Sequence, residues 1–86
     1  MAQVILYQVI NIDREEMFFG TTSVELEKEV ERLSKLGANG PMKEWKKGDI
    51  LQWRPLTEKI DENVAKTLHA EIQKKTPPNK FRVIQT

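Results

Sequence analysis

The segment Gln3–Asn11 (QVILYQVIN) constrains the fold more than any other part of the chain. It is apolar on both alternations: Ile5, Tyr7 and Val9 point one way, and Val4, Leu6 and Ile10 the other. Successive strand side chains leave opposite faces, so a segment of this kind is buried on both and lies centrally in a sheet. The polar run Asn11-Ile12-Asp13-Arg14-Glu15 then makes a turn. A second strand follows over residues 16–21 (EMFFGT), ended by Gly20, and so short a turn makes the pair an antiparallel hairpin.

Thr22-Ser23-Val24-Glu25 has capping-box spacing and opens the run VELEKEVERLSKLG. Leu26, Val30 and Leu33 at i, i+4 and i+7 form one apolar stripe against a charged face, and Gly37 is a natural stop. Pro41 is placed to open a short helix through Met42 and Trp45, closed by Gly48. Residues 50–54 (ILQWR) read as a third strand, and Pro55, having no amide proton, favours a sheet edge. Asp61 is a good N-cap for a helix whose Ala65, Leu68 and Ile72 share a face and whose Lys74 and Lys75 suit its C-terminal dipole. Pro77-Pro78 stops that helix, and KFRVIQT reads as a fourth short strand. The expected fold is α+β: a small antiparallel sheet with two main helices, in the order β-β-α-(α)-β-α-(β), as one domain over residues 1–86.

Composition narrows the function classes. With 86 residues, the chain buries only roughly 60–65% of the surface its unfolded form exposes, so the core is modest. There is no cysteine, hence no disulfide, thiolate metal site or thiol nucleophile, which suits a reducing cytoplasm. No apolar run approaches the ~20 residues of a membrane span, and the N-terminus lacks the basic region of a signal peptide. A cytoplasmic protein without a membrane partner is expected. Fourteen basic and thirteen acidic residues give a net charge of +1, so nucleic-acid binding would need local clustering of positive charge.

Ile5-Leu6-Tyr7 in the first strand and Phe18-Phe19-Gly20 in the second, at this separation and followed by a charged helix, resemble the paired motifs of the GIY-YIG family. QVIN after the first motif, GPMKEWKKGD as the small middle helix, and ILQWRPLTEKIDENVAKTLHAEIQKK as the last strand and helix extend the resemblance over residues 3–75. It implies metal-dependent hydrolysis of a nucleic-acid phosphodiester. In that chemistry a first-motif tyrosine helps activate water, a helix arginine stabilises phosphate charge, and a late-helix glutamate holds a divalent cation.

Taken residue by residue, the resemblance puts Tyr7 at the first tyrosine and Gly20 at the second-motif glycine. Phe18 replaces the second tyrosine and loses its hydroxyl. Lys28 falls at the arginine position, keeping the charge but not the planar fork, and Arg32 lies one turn on. His69 falls at the metal-glutamate position, a poor place for Mg2+, while Glu71 lies about 200° round the helix.

Each of these residues also has a plain packing reading. Tyr7 fits a core aromatic, Phe18 a packing ring and His69 a half-buried helix residue. Lys28 and Arg32 fit a solvated face salt-linked to Glu25, Glu27, Glu29 and Glu31. Trp45 with Lys43, Lys46 and Lys47 is the one basic-aromatic cluster; it suits base stacking with phosphate contacts, or equally a Trp anchoring a short helix. One histidine supports no Ser-His-Asp arrangement, and Gly37-Ala38-Asn39-Gly40 is no phosphate loop. Three functions follow. The first is a non-catalytic GIY-YIG-like domain binding nucleic acid (DNA or RNA) or a protein partner. The second is a divergent endonuclease using Tyr7, Lys28 or Arg32 and a carboxylate such as Glu71 or Glu62, with Mg2+ or Mn2+ required only here. The third is a protein-interaction module docked through a sheet edge or Trp45.

Overall fold

Gln3–Asn11 forms β1, which has hydrogen-bonded neighbours along both edges, as its two apolar faces require. The computed structural model describes residues 3–46, 48–75 and 81–86. On one side β1 pairs antiparallel with β2 (Glu16–Thr22), in a register that sets Tyr7 opposite Gly20 and Val9 opposite Phe18. On the other it pairs antiparallel with β3 (Leu51–Pro55) and, at its start, with the two-residue β4 (Ile60–Asp61). Between the pairs Tyr7↔Pro55 and Val4↔Ile60 the outer chain carries two extra residues, which bulge out after Pro55. There the Leu6 amide donates to Thr57 Oγ1, and the Leu56 amide to the Leu6 carbonyl.

The two faces of the sheet are covered by different helices. Tyr7, Val9 and Phe18 cluster with Met42 and with Val30 and Leu33 of α1 (Leu26–Lys35). Val9 and Phe18 are essentially inaccessible, each contributing about 1.5–3 kcal/mol of transfer free energy. Leu6 leaves the opposite face and lines a cleft with Leu68 and Ile72 of α2 (Glu62–Lys74). The fold class is α+β, with helices on both faces of the sheet. Among the described residues no helix is long and apolar enough to cross a membrane.

Several local expectations need correction. The sheet is mixed: β5 (Arg82–Val83) runs parallel to β2. Gly20 does not end β2, because pairing of Thr22 with Ile5 holds the backbone extended two residues further. That pairing also prevents the capping box. Thr22 Oγ1 instead accepts from the Val24 amide, and α1 begins at Leu26 behind Glu25, with no side-chain cap. No helix forms at Pro41; residues 41–44 are turns, with the Trp45 amide donating to the Met42 carbonyl. The third strand is shifted by one residue, and Pro77-Pro78 lie outside the described residues. Other features stand as read: Asp61 caps α2 by accepting from the Asn63 amide, and Gly37 follows α1 at φ 54°.

Candidate functional site

Tyr7 and Gly20 face each other across the hairpin, and the phenol ring lies over the glycine. A Cβ built on Gly20 would sit 2.5 Å from Tyr7 Oη and 2.7 Å from Cζ, so only glycine fits beneath the ring. Phe18 meets Tyr7 edge-on, with centroids 6.4 Å apart. Held in this way, the hydroxyl donates to Glu29 Oε2 on α1 at 3.1 Å. Arg32 grips the same carboxylate through two bonds, Nε to Oε1 at 3.0 Å and Nη2 to Oε2 at 2.9 Å. Glu29 is 5% exposed, so its charge is buried and has Arg32 as its counter-ion.

These groups line a cleft of about 240 Å³, together with Phe19, Leu33, Pro41, His69 and Thr86. His69 reaches it from α2, its Nε2 lying 3.0 Å from the Phe19 carbonyl and 2.8 Å from Thr86 Oγ1. A carbonyl only accepts, so a bond to Phe19 requires the proton on Nε2. The Tyr7 phenol is pushed well above its ordinary value, first by burial and then by the Glu29 charge and hydrogen bond, with Arg32 opposing.

The structure therefore brings Tyr7, Gly20, Phe18, Arg32 and His69 together around one cleft. It does not bring Lys28, which is exposed, makes no ion pair among the described residues and does not line the cleft. Glu71 lies beside Leu6 and Ile72 in a different cleft. Glu29, read from sequence as a salt partner of Arg32 on a solvated face, keeps that pair but is buried. The signal was present: Leu26, Glu29, Val30 and Leu33 fall at i, i+3, i+4 and i+7, so Glu29 occupies a position of the apolar stripe.

Divalent Mg2+ or Mn2+ asks for several oxygen ligands. The cleft offers one carboxylate, both of whose oxygens are already engaged, and an imidazole. Among the described residues no group of three or more His, Cys, Asp or Glu side chains is placed to hold a metal ion. These residues do not fit the cation that the GIY-YIG resemblance implies.

The basic-aromatic cluster is built differently from a stacking platform. Trp45 is half-buried, its ring packs on Phe18 with centroids 5.5 Å apart, and its Nε1 donates to Glu16 Oε1 at 3.1 Å. Glu16, 5% exposed, also accepts from Arg14 Nε at 3.0 Å and Arg82 Nη2 at 2.6 Å. It ties the hairpin turn, the loop before β3 and β5 to one carboxylate. Lys43 and Lys46 are exposed, and Lys47 lies outside the described residues. Comparison with protein-family models, with curated proteins and with solved structures finds no match for the chain.

Proposed function

We propose that this chain is a GIY-YIG-like domain that does not cut nucleic acid and serves as a binding module for a protein partner. The observation that carries this reading is the Glu29 carboxylate, buried between the Tyr7 hydroxyl and the Arg32 guanidinium. The GIY-YIG half is supported by Tyr7 and Gly20 facing each other in a hairpin, with helices on both faces and α2 delivering residue 69 to their cleft. Catalysis would need that hydroxyl to give up its proton to activate water, and burial with Glu29 opposes this. It would also need a guanidinium free to meet phosphate, whereas Arg32 is forked onto Glu29. With Glu29 and Arg32 cancelling each other, the cleft offers a phosphate no net positive charge.

A protein partner is favoured over nucleic acid because positive charge on α1 is locally cancelled. Arg32 pairs with Glu29, Lys35 pairs with Glu31, and the net charge is +1. Incubating the chain with single- and double-stranded DNA and RNA in Mg2+ or Mn2+ is expected to give no product. Cleavage that is abolished by Tyr7→Phe would overturn the non-catalytic half. Salt-sensitive binding to DNA or RNA, the signature of counterion release, would overturn the protein half.

A further inference from the structure

Among the described residues the outer edges of the sheet are β5 on one side and β3, continued by the two-residue β4, on the other. β5 is two residues long, which makes it a poor template for another strand. β3 is five residues long, contains no lysine and has no bulge within it. Its hydrogen bonding fixes which groups face outward. The Ile12 amide donates to the Ile50 carbonyl and the Leu56 amide to the Leu6 carbonyl, while Gln52 pairs with Ile10 and Arg54 with Gln8. Even-numbered residues of this strand therefore turn their backbone groups toward β1, and odd-numbered ones turn away. The amides and carbonyls of Leu51 and Trp53, and the Pro55 carbonyl, point off the edge and have no partner among the described residues. Trp53 is 40% exposed and Ile50 56%. A cleft of about 490 Å³, lined by Gln8, Ile10, Gln52 and Arg54, opens along the same strand.

We infer that the free edge of β3 is a self-association site, at which a second copy of this chain adds its own β3 antiparallel about a two-fold axis at Trp53. The sequence of the edge is complementary to itself in this register. Trp53 meets Trp53 of the second copy, Gln52 meets Arg54, Leu51 meets Pro55 and Ile50 meets Leu56. No like charges are opposed, and the flanking pairs are apolar. Each Trp53 amide donates to the Trp53 carbonyl of the other copy, and each Leu51 amide to the Pro55 carbonyl. The missing amide of Pro55 ends the ladder there. Arg54, whose Nε holds Gln8 Oε1 at 3.0 Å, keeps its terminal nitrogens for Gln52 of the second copy. A register shifted by two residues to put the axis at Arg54 would set Arg54 against Arg54, which charge disfavours. The inference does not rest on how the Tyr7 cleft works.

The test is sedimentation equilibrium of the full chain from micromolar to millimolar concentration. A monomer–dimer equilibrium is expected, and a monomer throughout overturns the proposal. Leu51→Pro removes an outward amide without touching the bonds to β1, and is expected to weaken association at least about tenfold. Gln52→Arg sets like charges against each other and weakens it independently, should the proline variant fail to fold. Gln52→Arg with Arg54→Glu restores it, because each cross-strand pair becomes opposite in charge. Association that ignores both single variants, or that the double variant does not recover, overturns the register. Circular dichroism and thermal melting of each variant confirm that the fold is intact.

Discussion

The Tyr7 hydroxyl donates to Glu29 Oε2 at 3.1 Å, joining the central strand to α1 through a carboxylate that Arg32 holds from the other side. The Glu29 charge and its hydrogen bond in turn raise the proton affinity of the Tyr7 phenol.

Tyrosinate absorbance reads this coupling directly, because Tyr7 is the single tyrosine in the chain. Burial acts first and the Glu29 charge second, and both favour the neutral phenol. The folded-state value is therefore raised above the unfolded value of 10.0. The linked stability is fully present below that pH and is lost as pH rises through the folded value. Ultraviolet titration is expected to show no half-ionisation at pH 10.0 in the native protein. Glu29→Gln should move the midpoint down toward that value, since it removes the negative charge. A native midpoint equal to that of free tyrosine would sink the prediction.

Gly20→Ala tests the close approach beneath the ring. The added carbon would lie 2.5 Å from Tyr7 Oη and 2.7 Å from Cζ, closer than any packing allows. The ring must shift, and the bond to Glu29 goes with it. Overpacking of this kind costs about 1–3 kcal/mol, measurable by urea unfolding. The same variant should lower the Tyr7 midpoint. Native-like values in both measurements would show that the hairpin accommodates the methyl group elsewhere.

Much of this arrangement was legible in the sequence, and the failures have local causes. The doubly apolar Gln3–Asn11 could only be a central strand, and Asp61 carries the side chain its capping bond needs. Thr22 carried an equally good helix-start signal, yet its pairing with Ile5 overrode it. That moved the start of α1 to Leu26. It is the apolar stripe that turns Glu29, not Lys28, toward Tyr7: Val30 and Leu33 face the sheet, and Glu29 lies on their side of the helix. The strand within KFRVIQT was legible, but its parallel run beside β2 was not, because two residues carry no signal of orientation.

Arg32 and Lys28 share a sequence neighbourhood but not a role. Arg32→Ala would leave the buried Glu29 carboxylate without its counter-ion, and is expected to lower the melting temperature by several degrees. Lys28→Ala should leave it within experimental error, as for exposed positions without partners. Equal effects from the two would mean that Glu29 draws its compensation from somewhere other than Arg32.

Glu16 makes an acid-sensitive clamp of the far end of the same face. Burial raises its carboxyl, but hydrogen bonds from Arg14 and Trp45, and the charges of Arg82 and Arg14, outweigh that and hold it below the ordinary 4.5. With the folded value depressed, the native state binds fewer protons than the unfolded state as pH falls. The stabilisation is complete above about 4.5 and is lost as pH drops through the folded value. Asp49 adds to the same window, its carboxyl lowered first by the hydrogen bond from Asn11 and then by the Lys46 amide. Melting temperature followed from neutral pH to about pH 3 should therefore fall more steeply in the native chain than in Glu16→Gln. At neutral pH the variant should be less stable by about 1 kcal/mol, because one partner, Arg82, is 73% exposed and its ion pair is screened. The loss should show locally too, as faster amide exchange at Arg82 and Ile84, whose amides bond to Glu15 and Met17 of the hairpin. Parallel pH profiles in the two proteins would mean that the clamp does not titrate in this range.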